Sequence, residues 1–167
     1  MKIPDLDAID HRILEILQRE GRLSNQELAD RVALSPAPCL RRVRALEKAG
    51  VIRQYAALLE PRKVGLGMTA LITVKLEKRG NMPGEEFAKA VRGWPEVVGC
   101  YSMTGDTDYL LWTFVEDLDH YTRFLTGRLL KLAYVVDVKS NIVLAAVKNT
   151  TALPLNHLGL ETRRRKT

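Results

Sequence analysis

The sequence has little of what disulfide-rich, metal-binding and membrane proteins use. Its 167 residues include only two cysteines, Cys39 and Cys100, which are far apart and form no CxxC pair, so neither a disulfide framework nor a zinc site is expected. No apolar run reaches the roughly 18 residues of a membrane-spanning helix. The N-terminus is charged within a few residues, unlike a secretory signal. These absences predict a cytoplasmic globular protein without metal, cofactor or membrane partner.

Positive charge is abundant, and it is concentrated in one part of the chain. Residues 31–63 hold eight arginines and lysines against two glutamates, a surplus equal to the whole net charge of +6. A local basic surface attracts polyanions, whereas dispersed lysines mainly keep a protein soluble. The alternative interpretation is a solvated helix face. The spacing of the arginines decides between the two.

The first third of the chain is predicted to form three short helices. The first follows Asp5 as its cap and ends at Gly21, with apolar residues at helical intervals between them. The second begins at "SNQE", in which Ser24 and Glu27 have capping-box spacing. The third comes from "LSPAPCLRRVRALEKAG", where Ser35 is expected to cap the helix and prolines are tolerated because first-turn amides have no intrahelical partner.

The two faces of the third helix follow from a rotation of 100° per residue. Leu40, Val43 and Leu46 are expected to face the core, with Cys39 beside them. The opposite side carries Arg41, Arg44 and Lys48. Two helices joined by a tight turn, the second with an arginine face, are typical of a helix-turn-helix whose second helix enters the DNA major groove. The predicted contacts to double-stranded DNA are Ser35, Ala37, Arg41, Arg42, Arg44, Lys48 and Arg53.

In the rest of the chain the spacing of apolar residues changes. "MTALITVKL" alternates as a strand, and the pattern after it predicts helix, strand, strand, helix and strand. This order is typical of a ferredoxin-like antiparallel sheet with two helices on one face. We therefore predict an α+β protein with a helix-turn-helix domain over 1–62, including a linking strand or wing, a ferredoxin-like domain over 63–155 and a basic, flexible tail over 156–167.

Three motifs, "LSPAPCLRRVRALEKAGVI", "VGCYSMTGDTDYLL" and "VKNTTALPL", resemble the Lrp/AsnC family of bacterial and archaeal transcriptional regulators, and the resemblance covers nearly the whole chain. It implies an N-terminal winged helix-turn-helix domain and a C-terminal domain that binds small effectors, usually amino acids. It also implies homodimers that assemble into octamers. One departure is Thr107, which stands where an aromatic residue is usual.

The loop Gly105-Asp106-Thr107-Asp108 on its own is typical of a hairpin turn. With the resemblance we interpret it as part of an effector site, because a carboxylate can pair with the ammonium of an amino acid and turn amides can bind its carboxylate. The predicted effector-binding residues are Met103, Gly105, Asp106, Thr107, Asp108, Leu118, Asn141 and Ile142.

Two functions from different classes remain open. The first is a sequence-specific, nucleoid-associated regulator of amino-acid metabolism genes that responds to an amino acid. The second is an architectural nucleoid-type protein that bends or wraps DNA with little effector control. An enzyme is not expected, because no nucleophile or phosphate-binding loop accompanies the acidic pair in the loop.

Overall fold

A computed structural model describes residues 5–77 and 83–156, and these divide into two compact units. The first unit contains the described residues up to Ala57 together with those from Lys148 onward, and the second spans Leu58–Val147. The first boundary lies close to the predicted one. Residues 148–155, which we assigned from the sequence to the second domain, group instead with the first unit. Apart from Asn156, the predicted basic tail lies outside the described residues.

The first unit consists of three helices, α1 (Ala8–Leu17), α2 (Asn25–Arg31) and α3 (Pro36–Lys48). The predicted cap of α1 was wrong, because Asp7 rather than Asp5 stands at the N-cap. The Asp7 carboxylate accepts hydrogen bonds from the amides of Ile9 and Asp10, and the Asp10 carboxylate accepts one from the amide of Asp7. The predicted capping box of α2 is confirmed, with the Glu27 amide donating to the Ser24 hydroxyl over 3.2 Å.

The chain turns sharply between α2 and α3. Ala33 adopts a φ of 57°, a left-handed conformation that costs a residue with a Cβ free energy. The Leu34 amide donates to the Ala29 carbonyl over 2.9 Å and closes the turn. A helix-turn-helix turn commonly uses glycine here, so Ala33 is a strained position.

The core of the first unit lies between the three helices. Its buried side chains are Ile13, Leu28, Ala29, Val32, Cys39, Val43 and Leu46. The prediction for Leu40 was wrong, since it is 36% exposed, whereas Cys39 beside it is fully buried as expected. Val43 and Leu46 are buried as predicted, so only Leu40 departs from the predicted core face of α3.

The second unit is a four-stranded antiparallel sheet with two helices. Its elements are β1 (Met68–Leu76), α4 (Pro83–Val91), β2 (Val97–Ser102), β3 (Tyr109–Val115), α5 (Leu118–Gly127) and β4 (Val135–Ile142). The strands lie in the order β2-β3-β1-β4, and every neighbouring pair is antiparallel. The predicted order of strands and helices is confirmed.

The core of the second unit lies between one sheet face and the two helices. Alternate residues of β1, among them Ile72 and Val74, are fully buried. They pack in one cluster with Phe87 of α4 and Phe124 of α5. On β3, the buried Thr113 hydroxyl donates to the Ala70 carbonyl over 2.9 Å, which satisfies its polar group within the sheet.

The segment from Arg53 to Glu60 does not form the predicted linking strand. A strand needs a neighbouring backbone for its hydrogen bonds, and the described part of this chain offers none to these residues. They are exposed, including Leu58 and Leu59. None of the helices in the described ranges combines the length and the hydropathy of a membrane-spanning segment.

The strain at Ala33 gives a stability test. Glycine adopts a positive φ freely, so Ala33→Gly relieves about 1–2 kcal/mol of strain, offset by about 0.4–1 kcal/mol from the greater freedom of glycine in the unfolded chain. We expect the free energy of unfolding to stay level or rise by up to about 1.5 kcal/mol. The helical control Ala45→Gly should lower it by about 1 kcal/mol. Urea unfolding followed by circular dichroism measures both free energies of unfolding. An equal decrease in the two variants would contradict the inference that Ala33 is strained.

Candidate nucleic-acid interface and ligand cleft

One side of α3 presents an exposed basic surface. Ala37, Arg41, Arg44 and Lys48 are spaced by four, three and four residues, so they lie on one side of the helix, and all four are exposed. We call these four residues the recognition face. In the part of the chain that the structure describes, none of its three cations forms an ion pair. Their charges are therefore available to an external anion. Arg53, which follows α3, is exposed in the same way.

Arg42, one of the predicted DNA contacts, is half-buried and forms ion pairs with two carboxylates of its own unit. Its guanidinium Nη1 lies 2.8 Å from Asp7 Oδ2 and 2.9 Å from Asp10 Oδ1, both on the first turn of α1. The hydrogen bonds that the Arg42 guanidinium donates to the carboxylates of Asp10 and Asp7 raise the pKa of Arg42. The amide of Asp10 and the Arg42 guanidinium lower the pKa of Asp7. Arg42 thus joins α3 to α1.

Ser35 occupies the N-cap position of α3 with extended backbone, but its side chain makes no capping hydrogen bond. A capping side chain usually binds the amide of the second or third helical residue, and Pro38 at the third position has no amide hydrogen. Of the first three helical residues only Ala37 therefore offers an amide. The Ser35 hydroxyl and this amide form a small donor group at a helix N-terminus, where a phosphate is favoured.

Two residues near α3 were missed by the sequence analysis. Asn25 of α2 donates from Nδ2 to the carbonyl of Pro36 over 2.9 Å, which fixes the start of α3 against α2. Leu40 is exposed on α3, where an apolar side chain can contact a thymine methyl group. The sequence analysis assigned Leu40 to the core because it is apolar, so its exposure was not predicted.

The second unit has a cleft of about 310 Å³ at the end of β1. Its lining residues are Leu76, Glu77, Pro83, Gly84, Ser102, Met103, Asp108 and Tyr109. The structure therefore brings two predicted effector residues, Met103 and Asp108, into one cleft. The Asp108 carboxylate also accepts a hydrogen bond from the Leu76 amide over 2.7 Å, so it stabilises the end of β1.

The other predicted effector residues divide into a turn and a distant group. Gly105 and Asp106 lie exposed in the turn between β2 and β3, where Gly105 has a φ of 106°. Thr107 is half-buried and does not line the cleft. The amide of Met103 donates to the carbonyl of Asp108 over 2.9 Å and closes this turn.

Leu118, Asn141 and Ile142 lie at the opposite end of the sheet. Ile142 pairs with Ala70 near the start of β1, whereas Asp108 binds Leu76 at its end. Six residues of extended strand separate these points by about 20 Å. Within one chain the predicted effector set is therefore split into two groups. Sequence reasoning missed Glu77 and Tyr109, because only strand pairing and the packing of α4 bring them to the cleft.

Comparisons with known proteins match both units. The profile of the Lrp/AsnC ligand binding domain matches residues 69–153, and that of a winged helix-turn-helix DNA-binding domain matches residues 6–53. The leucine-responsive regulatory protein of Escherichia coli K12 is 42% identical over 149 residues, which cover 89% of this chain and 91% of that protein.

Solved structures agree with these matches. A transcriptional regulator from Neisseria meningitidis, crystallised as a complex with L-methionine, is 52% identical, covers 92% of this chain and 99% of its own, and superimposes with a TM-score of 0.89. An AsnC family transcriptional regulator from Agrobacterium tumefaciens is 38% identical, covers 91% of this chain and 99% of its own, and has a TM-score of 0.86.

Arg41 and Arg42 are neighbours with different expected roles. If Arg41 reads a guanine, Arg41→Ala should lose about 1–3 kcal/mol of specific binding with stability unchanged within about 0.5 kcal/mol. Arg42→Ala should instead lower the free energy of unfolding by about 1 kcal/mol. Competition gel shifts with selected and random duplexes measure the first change, and urea unfolding measures the second.

The pH dependence of stability gives a second test of the ion pairs of Arg42. Because the pKa of Asp7 is lowered from 3.8 in the folded protein, its pairing stabilises the fold above that pH and is lost as the pH falls through the lowered value. The stability difference between wild type and Arg42→Ala should therefore shrink below about pH 3.8. Loss of specific binding by Arg42→Ala without loss of stability would place Arg42 in the groove instead.

Proposed function

Because the chain belongs to the Lrp/AsnC family of transcriptional regulators, we propose that it controls amino-acid metabolism genes by binding operator DNA as a homodimer whose affinity changes when an amino acid binds the second unit. The coarser function follows directly from the family. The chain is a DNA-binding transcriptional regulator with a winged helix-turn-helix domain and a ligand-binding domain, and it is not an enzyme. We place its action in the cytoplasm, on the chromosome.

The recognition face of α3 is the observation that carries the DNA-binding proposal. Its cations are exposed and unpaired among the described residues, and the small side chain of Ala37 lets the start of the helix approach another surface closely. Arg41 and Arg44 have the chemistry for bidentate contacts with guanine in the major groove. Lys48 and Arg53 fit the role of phosphate contacts, which strengthen binding to any sequence and make it salt-dependent.

The open face of the sheet supports the proposed homodimer. Leu71, Trp112 and Phe114 point away from the helices, since they alternate with the buried residues of β1 and β3. Their side chains lie outside the core cluster and are half-buried. A contiguous apolar face of this kind is typical of a surface between subunits. A second copy of the same face would cover it symmetrically, and we propose that such dimers join into octamers.

A charge on this face should prevent dimerisation. Leu71→Lys places an ammonium group opposite Trp112 on β3, where it would be desolvated in a dimer. We expect sedimentation velocity to show the mass of a monomer. The control Leu130→Lys changes an exposed leucine outside the sheet and should leave the dimer intact. A dimeric Leu71→Lys protein would contradict the proposed interface.

An apolar amino acid suits the cleft of the second unit. Leu76, Met103 and Tyr109 offer apolar surface, and the acidic side chains of Glu77 and Asp108 offer acceptors for an ammonium group. A volume of about 310 Å³ lies within the range of small-molecule sites. Methionine and leucine are the candidates, because one relative was crystallised with L-methionine and the curated relatives are named leucine-responsive.

Calorimetry with methionine, leucine, lysine and aspartate tests the effector. We expect methionine or leucine to bind and to change operator affinity about 5–150-fold. Glu77→Gln should weaken binding of the amino acid without unfolding the protein. The control Asp119→Asn, which changes an exposed residue on α5 away from the cleft, should bind the amino acid as wild type does. Asp108 is unsuitable for this test because it also supports β1. Operator binding that no amino acid changes would favour the architectural function.

A further inference from the structure

The described residues from Lys148 onward return to the first unit and bind α1. Gln18, the C-cap of α1, donates from Nε2 to the Leu153 carbonyl over 3.1 Å and accepts from the Leu153 amide at Oε1 over 2.8 Å. Nε2 of His11 lies 3.1 Å from the Leu155 carbonyl. We call residues 148–156 the strap.

The two hydrogen bonds between Gln18 and Leu153 resemble those of a residue pair in a β-sheet. A primary amide both donates and accepts, so it can satisfy the N–H and the C=O of a single residue as a neighbouring strand would. The Leu153 side chain is 68% exposed, so Leu153 docks through its backbone. Because Leu155 offers a carbonyl, His11 must carry a hydrogen on Nε2 to bind it. Two side chains of α1 therefore hold the strap at two successive points.

The strap is attached to the first unit with little buried surface. The chain leading to it is exposed, with Leu144 89% and Val147 fully exposed, and few apolar groups of the strap are covered. Segments with few buried contacts open at low free-energy cost compared with a folded core. Docking can therefore respond to small changes elsewhere in the protein.

The strap also joins two elements that matter for function. It follows β4 along the chain, and the β4 end is fixed to β1 by a hydrogen bond from the Val143 amide to the Thr69 carbonyl. At its other end the strap binds α1, whose first turn holds Arg42 of α3 through Asp7 and Asp10. Each step from β4 to the recognition face is thus a covalent connection or a hydrogen bond.

We propose that docking of the strap on Gln18 and His11 couples the state of the second unit to the position of α3, and that Gln18 is the residue on which this coupling depends. The proposal rests on the proposed effector response, but it also predicts a response to DNA alone. By thermodynamic linkage, whatever ligand is bound better by the docked state must increase docking. Operator DNA should favour the docked strap, and an effector that strengthens operator binding should favour it further.

Hydrogen exchange of residues 148–156, followed by mass spectrometry, tests the coupling. The full-length protein is measured free, with a duplex selected from random DNA and with methionine or leucine. We expect the duplex to slow exchange at least about fivefold, the lower range of typical allosteric coupling, and the amino acid to change exchange in the direction in which it changes DNA affinity. In Gln18→Leu exchange should be fast in every state, and the effect of the amino acid on DNA affinity should fall about fivefold or more.

Two further variants make the result specific. Gln18→Glu keeps the acceptor for the Leu153 amide but loses the donor, so its strap should exchange at a rate between those of wild type and Gln18→Leu. Gln26→Leu removes a glutamine whose amide donates along α2 to Asp30, and it should leave exchange of the strap unchanged. Exchange that is equal with and without the duplex, or a full effector response in Gln18→Leu, would overturn the coupling. Absence of amino-acid binding in calorimetry would refute the proposed effector, while the duplex measurement would still decide the role of the strap.

Discussion

The guanidinium of Arg42, held by the carboxylates of Asp7 and Asp10, fixes how α3 lies in its unit. The same two carboxylates cap α1, so one cluster both starts the first helix and binds the third. With Arg42 turned inward and Cys39, Val43 and Leu46 buried, the opposite side of α3 must face outward. The exposed recognition face follows from this internal contact.

The start of α3 is fixed by a different set of constraints. Pro36 and Pro38 remove two amide donors from the first turn, and Asn25 binds the carbonyl of Pro36 from α2. The strained turn at Ala33 brings the two helices together. Within the described ranges, the Ser35 hydroxyl makes no capping hydrogen bond. It lies with the Ala37 amide at the helix end where a phosphate is bound most readily.

Local sequence patterns predicted much of the fold because the signals were local. The strict alternation of "MTALITVKL" predicted β1 at its observed bounds, and Ser24 with Glu27 predicted the capping box of α2. Arg42 could not be distinguished from Arg41 in this way, because its role depends on carboxylates more than thirty residues away. The effector set was split for a similar reason, since strand register decides that Ile142 and Asp108 lie at opposite ends of β1. The return of the strap to α1 carried no sequence signal.

Methylation protection of the guanine N7 atoms in a selected duplex tests the central claim most directly, because N7 lies in the major groove where Arg41 and Arg44 are expected to bind. A homodimer with two copies of α3 in successive major grooves predicts two clusters of protected guanines about 10 base pairs apart, and Arg41→Ala should remove protection at one guanine of each cluster. Strong binding with no protected N7, or protection that Arg41→Ala and Arg44→Ala leave unchanged, would contradict the account.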